Sequence, residues 1–119
     1  MSVMKRRVKN SIVAVLAAGL AIGLSVPCWA QDSAKLFADN CAGCHGPNGK
    51  GDGPAAASLS PAPGDFAKTL AGKSDDWIAK IIKGGGAAVD MAPSMPPFDG
   101  MLNDDQIKAM AGYVKNLQK

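Results

Sequence analysis

The stretch Cys41-Ala42-Gly43-Cys44-His45 places two thiols three positions apart, with an imidazole directly after the second thiol. Positions i and i+3 share one face of a helical turn, so both sulfur atoms can reach the two vinyl groups of one porphyrin. The ring of His45 can then turn toward the iron from the same side. This Cys-x-x-Cys-His spacing is the attachment pattern of haem c. The motif predicts a haem bound covalently through Cys41 and Cys44, with His45 as an axial ligand of the iron.

Residues 1–30 have the features of a secretory signal peptide. A basic start precedes an uncharged apolar stretch, and small residues occupy the positions that a signal peptidase reads before a cut after Ala30. An uncleaved membrane anchor is the alternative, because the stretch is just long enough to span a bilayer. Lipid attachment at Cys28 is disfavoured by Pro27 before it. We predict cleavage, export to the periplasm and a mature domain over residues 31–119.

The charge of the predicted mature chain differs from that of the full sequence. The 119 residues carry a formal charge of +3, from 13 basic and 10 acidic side chains. Without residues 1–30, nine lysines stand against ten aspartates, which gives a formal charge of −1. The basic excess therefore belongs to the signal, and the charge does not indicate a nucleic-acid partner.

The motif is expected to close a first helix and to be followed by a long loop. Asp32 or Ser33 can cap this helix, which should end near His45, where glycine, proline and asparagine favour a turn. Residues 46–65 are rich in glycine and proline, with one short helical turn expected over residues 55–59. A loop of this length inside a small domain needs a reason, and wrapping a flat cofactor supplies one.

Two further helices are expected downstream. Ser74 can cap the first of them, and the glycine run 84–86 should end it. Asn103 can cap the last helix, with Gln106 three positions later as in a capping box. No segment alternates with period two, so the predicted fold class is all-α. The apolar stripe of the last helix consists of Ile107, Met110, Ala111, Val114 and Leu117.

The second axial ligand must come from a residue other than histidine, because His45 is the only histidine of the chain. Four methionines remain after the predicted cleavage, and two of them belong to the last helix and its approach, where packing explains them. Met95 is the better candidate, since Pro96 and Pro97 make its segment extended and stiff. A stiff segment suits a thioether, which is a weak ligand and must be held in place. Met91 is the alternative.

These motifs together resemble the class I c-type cytochromes of the bacterial monohaem kind. The resemblance covers essentially all of residues 32–119. It rests on the 41–45 motif, the segment that runs through Asp65-Phe66, the Met-Pro-Pro-Phe stretch 95–98, and the last helix with Tyr113. It implies a small all-α helical globule, with long Gly/Pro loops around one covalently bound haem c.

In this family the first and last helices cross. The resemblance assigns Phe37 and Ser33 to the crossing on the first helix, although the family commonly has glycine where Ser33 stands. On the last helix it assigns Met110 and Tyr113.

The resemblance also implies a partner for the other nitrogen of the axial imidazole. In the family a downstream proline carbonyl accepts a hydrogen bond from this nitrogen, which orients the ring and strengthens it as a donor. Pro63 is the first match for this role to His45, and Pro61 is the second.

The resemblance implies a one-electron carrier and not an enzyme. The partners of such a carrier would be a redox protein donor and acceptor that bind transiently, and it would have no small-molecule substrate. Membrane association would follow only from an uncleaved signal or from membership of a complex. The alternative is a cytochrome subunit of a membrane or periplasmic dehydrogenase or oxidase complex.

Three other kinds of site share part of the pattern. An enzyme or gas-binding haem would need an open or labile sixth position, and no acid/base group accompanies Met95 in the sequence. A zinc site normally takes four ligands, while Cys41, Cys44 and His45 supply three. A thiol–disulfide couple would need a βαβ context, which the sequence does not show.

Overall fold

The computed structural model describes Gly23 and residues 28–119 of the chain. Within this part the regular structure is helical, with two short 3₁₀ turns and no strand. The all-α prediction is therefore confirmed. The helices are α1 (Cys28–Asn40), α2 (Ala42–His45), α3 (Phe66–Thr69), α4 (Asp75–Gly84) and α5 (Asp104–Asn116).

Helix α1 begins earlier than the sequence indicated. The expectation that Asp32 or Ser33 caps it is wrong, because the helix already runs from Cys28 and Ser33 lies inside it, 3% exposed. Ala30 and Gln31, which precede Asp32, are good helix formers, and this lets the helix extend upstream. The predicted signal peptide lies outside the described residues, apart from Gly23 and the backbone of residues 28–30. The boundary after Ala30 stays a prediction.

The motif itself is split between two helical segments. Cys41 interrupts the helix as the residue before α2, and α2 ends at His45 as expected. Gly46 follows with φ +79°, a left-handed value that favours glycine, and its N–H donates to the carbonyl of Ala42 at 2.9 Å. The short helical turn expected in the next loop is present as a 3₁₀ turn over Ala56–Ser58.

The capping predictions for the two later helices are confirmed. The Ser74 side chain accepts the N–H of Trp77 at the start of α4. Asn103 and Gln106 form a reciprocal capping box at the start of α5, with hydrogen bonds of 2.9 and 2.8 Å. Helix α4 ends at Gly84, as the glycine run predicted. Helix α3 and the 3₁₀ turn Gly86–Val89 were not expected, since both are single turns without an apolar repeat.

The core forms where α5 packs against both α1 and α4. Four of the five predicted stripe residues of α5 are buried, and Met110 is fully enclosed. Phe37 of α1 is 2% exposed, and its ring centroid lies 5.5 Å from that of Tyr113 on α5. The first and last helices therefore meet through the residues that the resemblance assigned to the crossing. No helix within the described residues combines the length and apolarity needed to cross a bilayer.

Candidate haem-binding site

A cavity of about 300 Å³ opens between two walls of the molecule. We call residues 41–66, which carry the motif and its loop, the His side. We call residues 84–99, which carry Met91 and Met95, the Met side. Among the described residues, those that line the cavity include no lysine or aspartate and are mostly apolar. The volume lies at the lower end of the range for ligand pockets, roughly 300–1,000 Å³. All the residues predicted for the site line this cavity: Cys41, Cys44, His45, Pro61, Pro63, Met91 and Met95.

The loop of the His side folds back over the end of α2. Its amides at Gly51, Gly53 and Ala55 donate hydrogen bonds of 2.8, 3.2 and 2.8 Å to the carbonyls of His45, Cys44 and Gly43, respectively. These carbonyls have no partner within so short a helix, so the loop satisfies them and holds the motif in place. A Cβ at Gly53 would lie 2.5–2.6 Å from this backbone. The glycine-rich composition of the loop thus serves close backbone packing against the motif.

The ring of His45 packs against a buried aromatic residue. Its centroid lies 4.8 Å from that of Phe66, with the ring planes tilted by 37°. Phe66 lies over Gly49, where any Cβ would enter the phenyl ring, and its N–H donates to the Gly49 carbonyl at 2.8 Å. Sequence reasoning missed this contact, because it depends on two segments that meet only in the folded chain.

Burial favours the neutral form of His45. It lowers the pKa of the imidazole, since the charged form loses hydration. The neutral ring is the form that can bind a metal. The Nδ1 atom of His45 is buried and has no hydrogen-bond partner. Pro63 and Pro61 both line the same cavity, but neither carbonyl bonds this nitrogen, so the hydrogen bond from His45 to a proline carbonyl stays a prediction.

The two thiols of the motif are free and half-buried. Burial, with a smaller contribution from the neighbouring Cys44, raises the pKa of Cys41 to about 11. A thiol–disulfide catalyst needs the opposite shift, because its attacking species is the thiolate. The environment of Cys41 therefore disfavours the thiol–disulfide interpretation of the motif.

The two candidate methionines of the Met side differ in burial. Met95 is half-buried and packs against the hydrophobic core, whereas Met91 is 45% exposed. Both line the cavity. Met95 is thus the methionine whose side chain is better shielded from water, which supports its choice over Met91.

The Met side is fastened to the end of α4. The N–H groups of Phe98 and Asp99 donate 3.1 Å hydrogen bonds to the carbonyls of Ile82 and Lys83 in the last turn of that helix. Phe98 is buried and also lines the cavity. The sequence suggested only that the glycine run ends α4, whereas the structure shows that the returning chain packs on it.

The residues of the cavity fit a covalently attached haem. Two thiols and a neutral imidazole lie on one wall, a thioether lies on the other, and the surface between them is apolar and uncharged. The buried, unpartnered Nδ1 atom marks the imidazole as a group that is not part of an internal hydrogen-bond network. Among the described residues, no three His, Cys, Asp or Glu side chains are grouped so that they could hold a metal ion by themselves.

The curated proteins similar to this chain include two oxidase subunits. One is a cbb3-type cytochrome c oxidase subunit FixP from Bradyrhizobium sp. (strain ORS 278), 38% identical over 89 residues, which are 74% of this chain and 27% of the relative. The other is a subunit of the same description from Bradyrhizobium diazoefficiens, 37% identical over 84 residues, 70% of this chain and 26% of the relative. The chain spans about a quarter of the length of these relatives.

The match to a family covers the whole described domain. The family model for cytochrome c matches residues 30–118, which include both walls of the cavity and all the predicted site residues. The helical fold and a cavity lined by the Cys-x-x-Cys-His motif agree with this match. The chain belongs to the cytochrome c family.

Proposed function

We propose that this chain is a periplasmic one-electron carrier with a single haem c, held by thioether bonds to Cys41 and Cys44 and ligated by His45 and Met95. One observation carries the proposal: the two thiols, the imidazole and the thioether line one uncharged cavity. Membership of the cytochrome c family supports covalent haem and electron transport. The finer assignments of ligand, haem number and compartment are our inference.

The roles of the chain's own residues follow from their surroundings. A bound haem c would supply one-electron chemistry by cycling its iron between Fe(II) and Fe(III). Cys41 and Cys44 would hold the group covalently, while His45, whose pKa is lowered by burial, offers a nitrogen donor. Met95 offers a soft donor, and His/Met ligation raises the reduction potential of a haem iron relative to ligation by harder donors. The apolar walls exclude water, which also favours the less charged, reduced state.

Both axial donors come from the protein in this proposal, and this argues for transfer of electrons without catalysis. In the part of the chain that the structure describes, no carboxylate or lysine lines the cavity. The partners would be redox proteins that dock transiently through a small interface. Export to the periplasm rests on the predicted signal peptide, residues 1–30. Mass spectrometry of the protein from a periplasmic fraction tests this point, and a mature chain that begins at Gln31 is expected.

A second candidate function is that of a cytochrome subunit in an oxidase complex. The similarity to two oxidase subunits favours it. Affinity capture of the tagged chain from solubilised membranes and from periplasm, followed by redox titration, separates the two. A stoichiometric complex in the membrane fraction would support the subunit, whereas a free haem protein in the periplasm would support the carrier.

The spectrum of the purified protein tests the site. Haem that survives a denaturing gel would establish covalent attachment, since zinc or a disulfide gives no haem stain. Six-coordinate low-spin haem with a Met–Fe(III) charge-transfer band is expected. A high-spin ferric spectrum, with rapid uptake of carbon monoxide by the reduced protein, would overturn the His/Met carrier in favour of an open haem site.

A further inference from the structure

The segment that carries Met95 has no regular structure of its own, yet it must hold a weak ligand at a defined place. Met95 follows the 3₁₀ turn Gly86–Val89 and lies in an irregular stretch before α5. A thioether is a weak axial donor, so the protein has to supply the restraint that the bond lacks. The contacts of the Met95 backbone show where this restraint comes from.

Gly86 makes main-chain hydrogen bonds to both methionine residues of the Met side. Its N–H donates a 3.1 Å hydrogen bond to the carbonyl of Met95, and its own carbonyl accepts a 2.9 Å hydrogen bond from the N–H of Met91. Gly86 is buried, so these bonds are shielded from competition with water. One residue just beyond the end of α4 thereby fixes the main chain at both methionines.

The backbone of Met95 also packs directly on the neighbouring glycine. A Cβ at Gly85 would lie 2.7 Å from the Met95 carbonyl oxygen, 2.9 Å from the nitrogen of Pro97 and 3.0 Å from the carbonyl carbon of Pro96. Real side chains do not approach backbone so closely. Gly85 also has φ +76°, which disfavours other residues. The stiff Met-Pro-Pro segment thus packs directly on the main chain of Gly85.

Gly86 has the same steric requirement without the unusual backbone angle. A Cβ at this position would enter the carbonyl oxygen of Ala92, which belongs to the same loop. Because the obstacle is backbone, it cannot move aside as the end of a flexible side chain can. The glycine run therefore does more than end α4.

We propose that Gly85 and Gly86 are positioning residues for the axial methionine. Because neither residue has a side chain, the Met95 loop packs directly on their main chain. This contact restrains the thioether and sets how readily the Met–Fe bond opens. The inference rests on the proposed ligation by Met95. Slackening of this contact leaves the haem attached and the helices folded but raises the population of the form without the methionine ligand.

The test uses the whole haem-loaded protein and two pairs of alanine variants. Gly85→Ala is matched with Gly72→Ala, because Gly72 also has positive φ (+73°) but has nothing within 4 Å of an added Cβ. Gly86→Ala is matched with Gly112→Ala, where no positive φ occurs and an added Cβ likewise contacts nothing within 4 Å. Gly72→Ala reproduces the strain of alanine at a positive φ, and Gly112→Ala adds a methyl group at an ordinary φ; neither presses on the Met side.

Two signals are followed in urea and in a pH titration: the Met–Fe(III) band and the helical far-ultraviolet signal. In Gly85→Ala and Gly86→Ala the band should disappear well before the helices unfold, with about a tenfold higher population of the methionine-free form, which corresponds to about 1.4 kcal/mol. In Gly72→Ala and Gly112→Ala the two transitions should keep their wild-type separation. A band that stays as resistant in the first pair as in the controls would overturn the proposal.

Amide hydrogen exchange on the wild-type protein provides a readout that does not depend on any variant folding. The Gly86 N–H should be protected far beyond exposed loop amides, and its protection should fall when the Met–Fe bond is opened by an exogenous ligand such as imidazole. Exchange at the rate of an exposed amide, or protection that does not respond to imidazole, would contradict the restraint.

A Met95→Ala variant separates this inference from the proposed function. Loss of the band in Met95→Ala, together with no effect in the glycine variants, overturns the positioning role alone. Retention of the band in Met95→Ala overturns the ligand assignment and with it the positioning role.

Discussion

The two walls of the cavity are each built at the end of a helix, yet they hold their donor atoms differently. On the His side the donor belongs to the helix itself, and the loop that follows bonds the carbonyls of Gly43, Cys44 and His45. On the Met side the helix α4 carries no donor, and it serves as a support to which the chain with Met95 returns. The His side is therefore a short helix that carries the donor and has a loop packed on it, whereas the Met side is a loop that carries the donor and packs back on the end of the helix before it.

This difference teaches where each wall is vulnerable. The position of His45 follows from a short stretch of backbone and, in the proposed function, from two covalent bonds beside it. The position of Met95 depends on non-covalent contacts with Gly85 and Gly86. Perturbation should open the Met side first, while the His side stays intact until the domain unfolds.

The largest effect is expected on the His side, from removal of both thiols. The double variant Cys41→Ser, Cys44→Ser should carry no haem that survives a denaturing gel, because serine forms no thioether bond. Haem staining after export into the periplasm measures this outcome. Each single variant, with one thiol retained, is the control and should keep some covalent haem. Staining in the double variant would contradict the assignment of the motif.

Removal of the Met-side donor should have the next largest effect. Met95→Ala should abolish the Met–Fe(III) band and lower the reduction potential while covalent haem is retained, since the loss of the soft ligand leaves Fe(III) less disfavoured. Met91→Ala is the matched control and should leave both readouts largely unchanged. Absorbance spectra and potentiometric titration measure them. The reverse result would move the ligand to Met91.

The two walls each contain one buried phenylalanine, and this pair sharpens the comparison. Phe66 on the His side is 8% exposed and Phe98 on the Met side is 7% exposed. Truncation of either to alanine should cost about 3–5 kcal/mol of unfolding free energy, by loss of burial and creation of a cavity. Urea unfolding of the haem-loaded proteins measures this cost.

The two truncations should differ in the order of events. Phe98→Ala should also separate loss of the Met–Fe(III) band from helix unfolding, because the truncation removes the buried ring that joins the Met side to the hydrophobic core. Phe66→Ala should leave that separation closer to wild type, since Phe66 packs on His45. If both variants gave the same separation between band loss and helix unfolding, the two walls would unfold as one cooperative unit.

The smallest effect is expected from an ion pair that links the start of α5 to the end of α4. Lys83 donates to Asp104 at 2.7 Å, and this hydrogen bond, followed by the charge of Lys83, lowers the pKa of Asp104 below its ordinary 3.8. Its contribution is therefore present above pH 3.8 and lost as the pH falls through the lower folded value. Both side chains are exposed, so the contribution is small and screened by salt.

A matched pair of variants isolates this ion pair from the helix dipole. Asp104→Asn and Asp105→Asn both remove a carboxylate from the first turn of α5, but only Asp104 takes part in an ion pair among the described residues. At neutral pH and low salt, Asp104→Asn should lower the urea midpoint slightly more than Asp105→Asn. The difference should vanish in strong acid and at high salt. A difference that persists in acid would exclude the ion pair as its cause.

Much of the fold was predictable, because its signals are local. The caps at Ser74 and Asn103 involve atoms three residues apart, and the apolar stripe of α5 repeats within one helix. The start of α1 was predicted wrongly, since a possible capping side chain at Ser33 does not stop a helix whose preceding residues also favour helix. The single turn of α3 was missed, although Asp65 caps it by accepting the N–H of Ala67, because four residues carry no periodicity.

The candidate site divides in the same way. The motif on the His side could be recognised because all its donor atoms come from five consecutive residues. The stacking of Phe66 on His45 could not, because it depends on how the loop returns to the motif. The double function of the glycine run was also hidden, since glycine after a helix already has a sufficient local explanation as a stop signal.

The sequence alone determined which side chains can hold a haem, because their identities and spacing are chemical facts of the chain. It also determined α4 and α5 with their caps, whose signals repeat within a few residues. Only the tertiary structure decided that the methionine wall faces the motif across one uncharged cavity, that Met95 is packed and Met91 exposed, and that Gly85 and Gly86 support the returning chain. These features depend on segments far apart in sequence, whose approach is set by packing in the folded molecule and by no local pattern.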